Sequence, residues 1–240
     1  MDKIMTLSAL LPVAVLLFYI YRTDPYKEPF KQLRKAFFYG VLIVLPVSIV
    51  EAPLALLIEN SPFNHTVLGS TMKAFFVAAI PEEGFKLLAL WLVVRKNPYF
   101  DEHFDGIVYA VFVSLGFAAL ENIGYVFQSG EDWMTVSIAR ALLAVPGHYA
   151  FGVLMGYFFS IYYFINRSRK YKYLVLVAPV LAHGIYDTLA FYSEISETMG
   201  LIGFVLLIVF CVRLHRLCFK KLQAHLANDQ RTFSRTSRPQ

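Results

Sequence analysis

Seven apolar runs divide this chain, each near the roughly 20 residues that a helix needs to cross a hydrocarbon core of about 30 Å. The first is MTLSALLPVAVLLFYIY, from Met5. The others cover about 36–58, 71–94, 106–128, 137–165, 173–192 and 199–219. No small-residue cleavage site follows the first run, so it reads as a retained helix and not as a removed signal peptide. A soluble domain is excluded on the same ground: 58% of the residues are hydrophobic and 16% charged, against about 25% charged in ordinary soluble domains. The expectation is an all-α polytopic membrane protein of about seven transmembrane helices. One membrane domain over 1–220 would be followed by a polar, mobile cytoplasmic tail over 221–240.

The loops between the runs alternate in charge. YRTDPYKEPFKQLRK, RKNPYFDEHFD and NRSRKYK carry the Lys and Arg residues, whereas NSPFNHTVLGS, QSGEDW and SEISETMG carry none. The positive-inside rule then predicts the N-terminus outside and the C-terminus in the cytoplasm. The net charge of +5 sits in these loops, which points to membrane orientation and the lipid bilayer, with no nucleic-acid partner. Cys211 and Cys218 fall in or beside the last run and read as packing residues.

Charge inside the runs is the costly part. An ionised side chain at the bilayer centre costs about 2.5–3.5 kcal/mol on insertion scales, yet the spans hold Glu51, Glu82, Glu83, Lys86, Glu121, Arg140, His148, His183 and Asp187. Mutual pairing in one cluster lowers that cost. The third run descends from the outer side, so PEEGFK lies about 18 Å of helix below it. Glu121, His148, His183 and Asp187 fall in the same half of the membrane. His183 and Asp187 are four apart and share a helix face, a spacing that suits two metal ligands or an imidazole oriented by a carboxylate. Glu82 and Lys86 share that spacing and are expected to pair, which would leave Glu83 the freer carboxylate. Arg140 reads as a snorkelling or carboxylate-pairing residue, Glu51 as a network or interfacial one. His65, His103, His215 and His225 read as unremarkable.

Three motifs stand in order in these spans: PEEGFK fits EExxK, FAALEN (Phe117 to Asn122) fits FxxxEN, and HGIYD fits HxxxD. With PGHYAFGVLMG and the segment FDEHFDGIVYAVFVSLGF, they resemble the PrsW family of bacterial intramembrane proteases, related to the CAAX-processing and bacteriocin-processing enzymes. The resemblance covers roughly residues 22–195. The related prenyl-protein proteases have His where Glu121 stands and Asn where Asp187 stands, which places this chain nearer PrsW.

The resemblance implies the site-1 cut in a membrane-spanning anti-sigma factor, near its extracytoplasmic side, in the bacterial cell membrane. The motif residues carried over are Glu82, Glu83, Glu121, His148, His183 and Asp187. Glu82 or Glu83 would act as general base on a water. His148, His183, Asp187 and Glu121 are the metal-ligand candidates, with zinc the possible ion. No HExxH is present, and the residues leave open a metalloprotease or a metal-free glutamate protease. Buried carboxylates and histidines also suit a proton- or ion-coupled transporter or a metal-dependent lipid hydrolase, two alternatives from different classes.

Overall fold

The computed structural model describes residues 1–236, with side chains through residue 231. Helices make up the architecture, and no strand occurs among the described residues. α1 (Asp2–Thr23) and α2 (Phe30–Glu59) lead into a continuous helical segment over 67–94. That segment comprises α3 (Val67–Met72), a π-helical turn (Lys73–Ala79) and α4 (Ile80–Val94). α5 (His103–Gln128) is followed by α6 (Trp133–Ala139), a second π-turn (Arg140–Ala144) and α7 (Val145–Ser160). α8 (Arg169–Ala190) and α9 (Glu197–Thr236) complete the chain.

Six of these segments are long and apolar enough to span a membrane. The seventh expected span is the stretch over 67–94. It is helical throughout but carries Lys73, Glu82, Glu83 and Lys86, more charge than an ordinary span holds. The helices begin a few residues before the expected limits because the helical hydrogen-bond pattern continues into the polar flanks, where hydropathy falls but helix propensity does not.

α5 is the spine. Its apolar stretch is 83% buried, against 6% for α2, which faces outward. Close approach makes this possible. A Cβ on Gly156 of α7 would run into the Gly106 carbonyl of α5, and one on Gly40 of α2 into the Val113 carbonyl. Small residues let membrane helices draw together where no hydrophobic force drives them.

The tail corrects one expectation. Over residues 221–236 of the expected mobile tail, α9 continues as helix, burying Leu222, His225 and Asp229; residues 237–240 of that tail lie outside the described residues. The Asp229 carboxylate accepts hydrogen bonds from the backbone N–H groups of His103 and Phe104, each at 2.9 Å, and its Oδ1 lies 2.6 Å from His103 Nδ1. It therefore satisfies two of the four donors left open at the start of α5. His225 stacks on Tyr157 of α7, with ring centroids 4.5 Å apart. The DEHFDG stretch, which had no evident purpose in the sequence, is the other half of this cap. Asp105 Oδ2 accepts from the N–H groups of Asp101 and Glu102, and Glu102 completes a capping box.

This end of the bundle also gathers buried carboxyl groups. Burial pushes Asp24 up to about 6, Glu28 to about 7 and Glu102 to about 8. Tyr109 donates its hydroxyl hydrogen to Glu28.

Two predictions follow from this end of the fold. Asp229→Ala lowers stability by about 1–2 kcal/mol through the lost helix cap, seen as a lower melting temperature of the detergent-solubilised protein. Asp229→Asn, which keeps an acceptor, lowers it less. An unchanged melting temperature in the Ala variant would remove the cap from the account of α9.

The second prediction concerns pH. Asp24, Glu28 and Glu102 hold their protons to higher pH folded than unfolded, so between about pH 4.5 and 8 the unfolded chain binds fewer protons. Stability then falls as pH rises through that window. Melting temperature measured from about pH 5 to 8 should decline, and Glu28→Gln should flatten the decline. A wild-type slope in that variant would acquit Glu28.

Candidate active site

Two helices deliver the central residues by the same local device. The π-turn Lys73–Ala79 is followed by Pro81, then Glu82 and Glu83; the π-turn Arg140–Ala144 is followed by Pro146, Gly147 and His148. Proline has no N–H and its ring crowds the carbonyl four residues back. Widening the preceding turn to an i→i+5 pattern accommodates it without breaking the helix, a feature frequent at functional sites. Loosened backbone is tolerated at membrane depth where it lines a cavity.

Helical spacing then assembles the charges. Lys86 is three residues from Glu83 and four from Glu82, so one ammonium reaches both neighbours. Its Nζ lies 2.8 Å from Glu82 Oε2 and 2.8 Å from Glu83 Oε1. Both carboxylates thus share the lysine, where the sequence suggested that it would hold Glu82 alone. All three residues are at least 95% buried. Lys86 Nζ also lies 3.1 Å from His148 Nδ1. Because the ammonium has only hydrogens to offer, Nδ1 is the acceptor and Nε2 carries the ring hydrogen of His148. That Nε2–H donates to Glu121 Oε2 at 2.9 Å, and the same oxygen accepts from Arg140 Nη2 at 2.7 Å.

On the other flank, His183 Nδ1 is 3.0 Å from Glu83 Oε1 and its Nε2 3.1 Å from Asp187 Oδ2. The His183 ring stacks on Phe151 with centroids 4.7 Å apart. One continuous polar chain therefore runs Arg140–Glu121–His148–Lys86–Glu82/Glu83–His183–Asp187. It joins all six residues named from the motifs. The chain borders a cavity of about 880 Å³, into which Glu82, Glu121, Arg140, His148, His183 and Asp187 face. Glu51 lines the same cavity from α2.

Ser114 was not singled out in the sequence, and Asn122 stood there only as the last residue of the FxxxEN motif. Ser114 donates to the His148 carbonyl at 2.7 Å, and Asn122 accepts from Arg140 Nε at 2.6 Å while donating to the Ala9 carbonyl at 2.7 Å. Each is a fully buried polar residue in the spine helix, and a polar residue inside an otherwise apolar run is the signal that marks them.

The donor set fits a divalent ion. Glu82, Glu83 and His183 each place a ligand atom within 4.8 Å of the others. Glu83 Oε2 is fully enclosed with no hydrogen-bond partner, an acceptor left open in a place where open acceptors are costly. Asp187 stands behind His183, as a carboxylate that orients a metal-binding imidazole does. This grouping differs from the ligand candidates suggested by sequence: of those four only His183 belongs to it. His148 and Glu121 are engaged with each other, and Asp187 lies one step back.

Comparison with known proteins finds relatives over most of the chain. The model of the PrsW family, described as an intramembrane metalloprotease family, matches residues 28–214. Protease PrsW of Clostridioides difficile (strain 630) is 32% identical over 232 residues, covering 95% of this chain and 93% of the relative. Protease PrsW of Geobacillus kaustophilus (strain HTA426) is 37% identical over 76% of this chain and 78% of its own, and that of Bacillus subtilis (strain 168) 37% identical over 75% and 79%. No solved structure matches the chain. A multi-pass bundle with a carboxylate- and imidazole-lined cavity, matched over most of its length by bacterial proteases, is a plasma-membrane enzyme: the chain belongs to the PrsW family of intramembrane proteases.

Proposed function

We propose that this protease makes the site-1 cut in a single-span anti-sigma factor, near the extracytoplasmic side of the membrane, with Glu83 as the general base. The observation that carries the base assignment is the enclosed, unpartnered Glu83 Oε2. Its sister oxygen is held by Lys86 and His183, so the carboxylate is fixed with its second oxygen unengaged, next to Glu82, which lines the cavity that would bring water. Glu83 then returns that proton to the leaving amide nitrogen as the peptide C–N bond breaks and the water oxygen stays on the carbonyl carbon. Glu82 and His183 would hold a divalent ion, zinc by the chemistry of the set, with Glu83 beside them keeping its open oxygen for the proton. When bound, such an ion polarises a water and a carbonyl oxygen. Asp187 keeps the His183 ring aligned, and Glu121 keeps His148 in one tautomer.

The side of the cut is supported by where the cavity leads. It extends past the carboxylates to Lys73, Gln128 and Phe191, near the ends of helices whose loops lack Lys and Arg. The positive-inside rule puts those loops outside.

Purified protein with a single-span anti-sigma factor from the same source tests this reading. A cut in the half of the substrate span nearer the outside is expected, with Glu83→Gln slowing it at least about a hundredfold. A cut on the Lys/Arg-rich side would overturn the side assignment, and full activity in Glu83→Gln would overturn the base.

Metal content provides a separate check. The purified protein should carry about one zinc per chain by elemental analysis, and His183→Ala should lose it. Activity that survives exhaustive chelation, in protein free of metal, would sink the zinc assignment.

A further inference from the structure

We propose that Arg140 is a positioning residue of the active site: it fixes the Glu121 carboxylate and, through it, the ring of His148. This deepens the protease reading and rests on it.

Three α5 side chains receive the guanidinium. Nη2 donates to Glu121 Oε2 at 2.7 Å, Nε donates to Asn122 Oδ1 at 2.6 Å, and the group lies 4.0 Å from the centre of the Tyr125 ring. A planar fork held at two donors over an aromatic face has one orientation, which a lysine ammonium could not reproduce. Asn122 is itself pinned, since its amide hydrogen goes to the Ala9 carbonyl of α1. The fork is thus anchored on two helices while it grips Glu121.

The π-turn explains why Arg140 and His148 meet on one oxygen. Eight positions along a regular helix, at about 100° each, would leave the two side chains roughly 80° apart. The turn Arg140–Ala144 lies between them, and its wider ring turns the chain less per residue. That shortfall brings both side chains to one face, where they converge on Glu121 Oε2 at 2.7 and 2.9 Å. Ser114 fixes the His148 backbone from α5. The His148 ring is then set by Glu121 at one nitrogen and Lys86 at the other, and only the Glu121 end depends on Arg140.

The test compares Arg140→Met, Arg140→Lys and Arg140→Ala in the full-length protein, on a membrane-spanning peptide that the wild type cuts. A positioning role predicts KM within about twofold and kcat lower by roughly 10–100-fold in Arg140→Met, the range for residues that orient a catalytic ligand. Arg140→Lys should fall between, and added guanidinium ion should restore part of the kcat of Arg140→Ala. An Arg140→Met protein with wild-type kcat overturns the proposal. So does a loss that follows the melting temperature and is recovered by neither lysine nor guanidinium, since a purely structural ion pair behaves that way.

Histidine-selective 15N NMR provides a readout that needs no turnover. The His148 ring signals should move in Arg140→Met, and unmoved signals overturn the proposal. An inactive wild type would count against the choice of peptide or the protease reading, and the NMR result would still decide the role of Arg140.

Discussion

A single ammonium group holds the centre of this protein together. Lys86 Nζ touches Glu82, Glu83 and His148 at 2.8, 2.8 and 3.1 Å in a place where solvent does not reach it. Two adjacent carboxylates without it would be intolerable at that depth, and the lysine without them equally so. Each charge is the condition for the others. The arrangement also extends beyond neutralisation, because the lysine reaches across to another helix and fixes which nitrogen of His148 carries its hydrogen. Charge balance and ring orientation thus come from the same contact.

The wider network leaves a surplus that bears on the chemistry. Glu82, Glu83, Glu121 and Asp187 face the fixed cations Lys86 and Arg140, so carboxylates outnumber permanent positive charges even before Glu51 is counted. Protons on the imidazoles or a divalent ion would each redress that imbalance. Glu83 stands next to His183, whose Nδ1 is 3.0 Å from its Oε1, and its Oε2 is enclosed without a partner. A site built this way favours an incoming cation or a proton.

Most of the fold could be read from hydropathy, because seven apolar runs have few ways to satisfy their backbone in lipid except as helices. The pairing of distant residues was legible too, since buried charge at one depth must find partners. What hydropathy could not show was the end of α9. Its buried face uses Leu222, His225 and Asp229, spaced three and four apart as a helix requires, but two of the three are polar, so no apolar period appears. His103 and His225 looked unremarkable for the same reason: their role lies in contacts with the far end of the chain. The sharing of Lys86 by both glutamates was hidden differently. Spacings of three and four both permit a contact, and sequence alone does not say that one ammonium makes both.

The two ends of the bundle are built to opposite requirements. At the Lys/Arg-rich end, α5 is capped twice, by its own DEHFDG stretch and by Asp229 of α9. That end fixes the spine on which Glu121, Asn122 and Ser114 are mounted. Toward the other end, the helices bringing Glu82, Glu83 and His148 each pass through a π-turn and a proline before the site, where the ladder of hydrogen bonds is weakest. A peptide substrate must be unwound before its carbonyl can be attacked, and the cavity lies on the side of the π-turns and prolines. The capped spine gives Glu121 a fixed place on α5, and the two π-turns bring His148 and the Glu82–Glu83 pair to the polar chain that contains it.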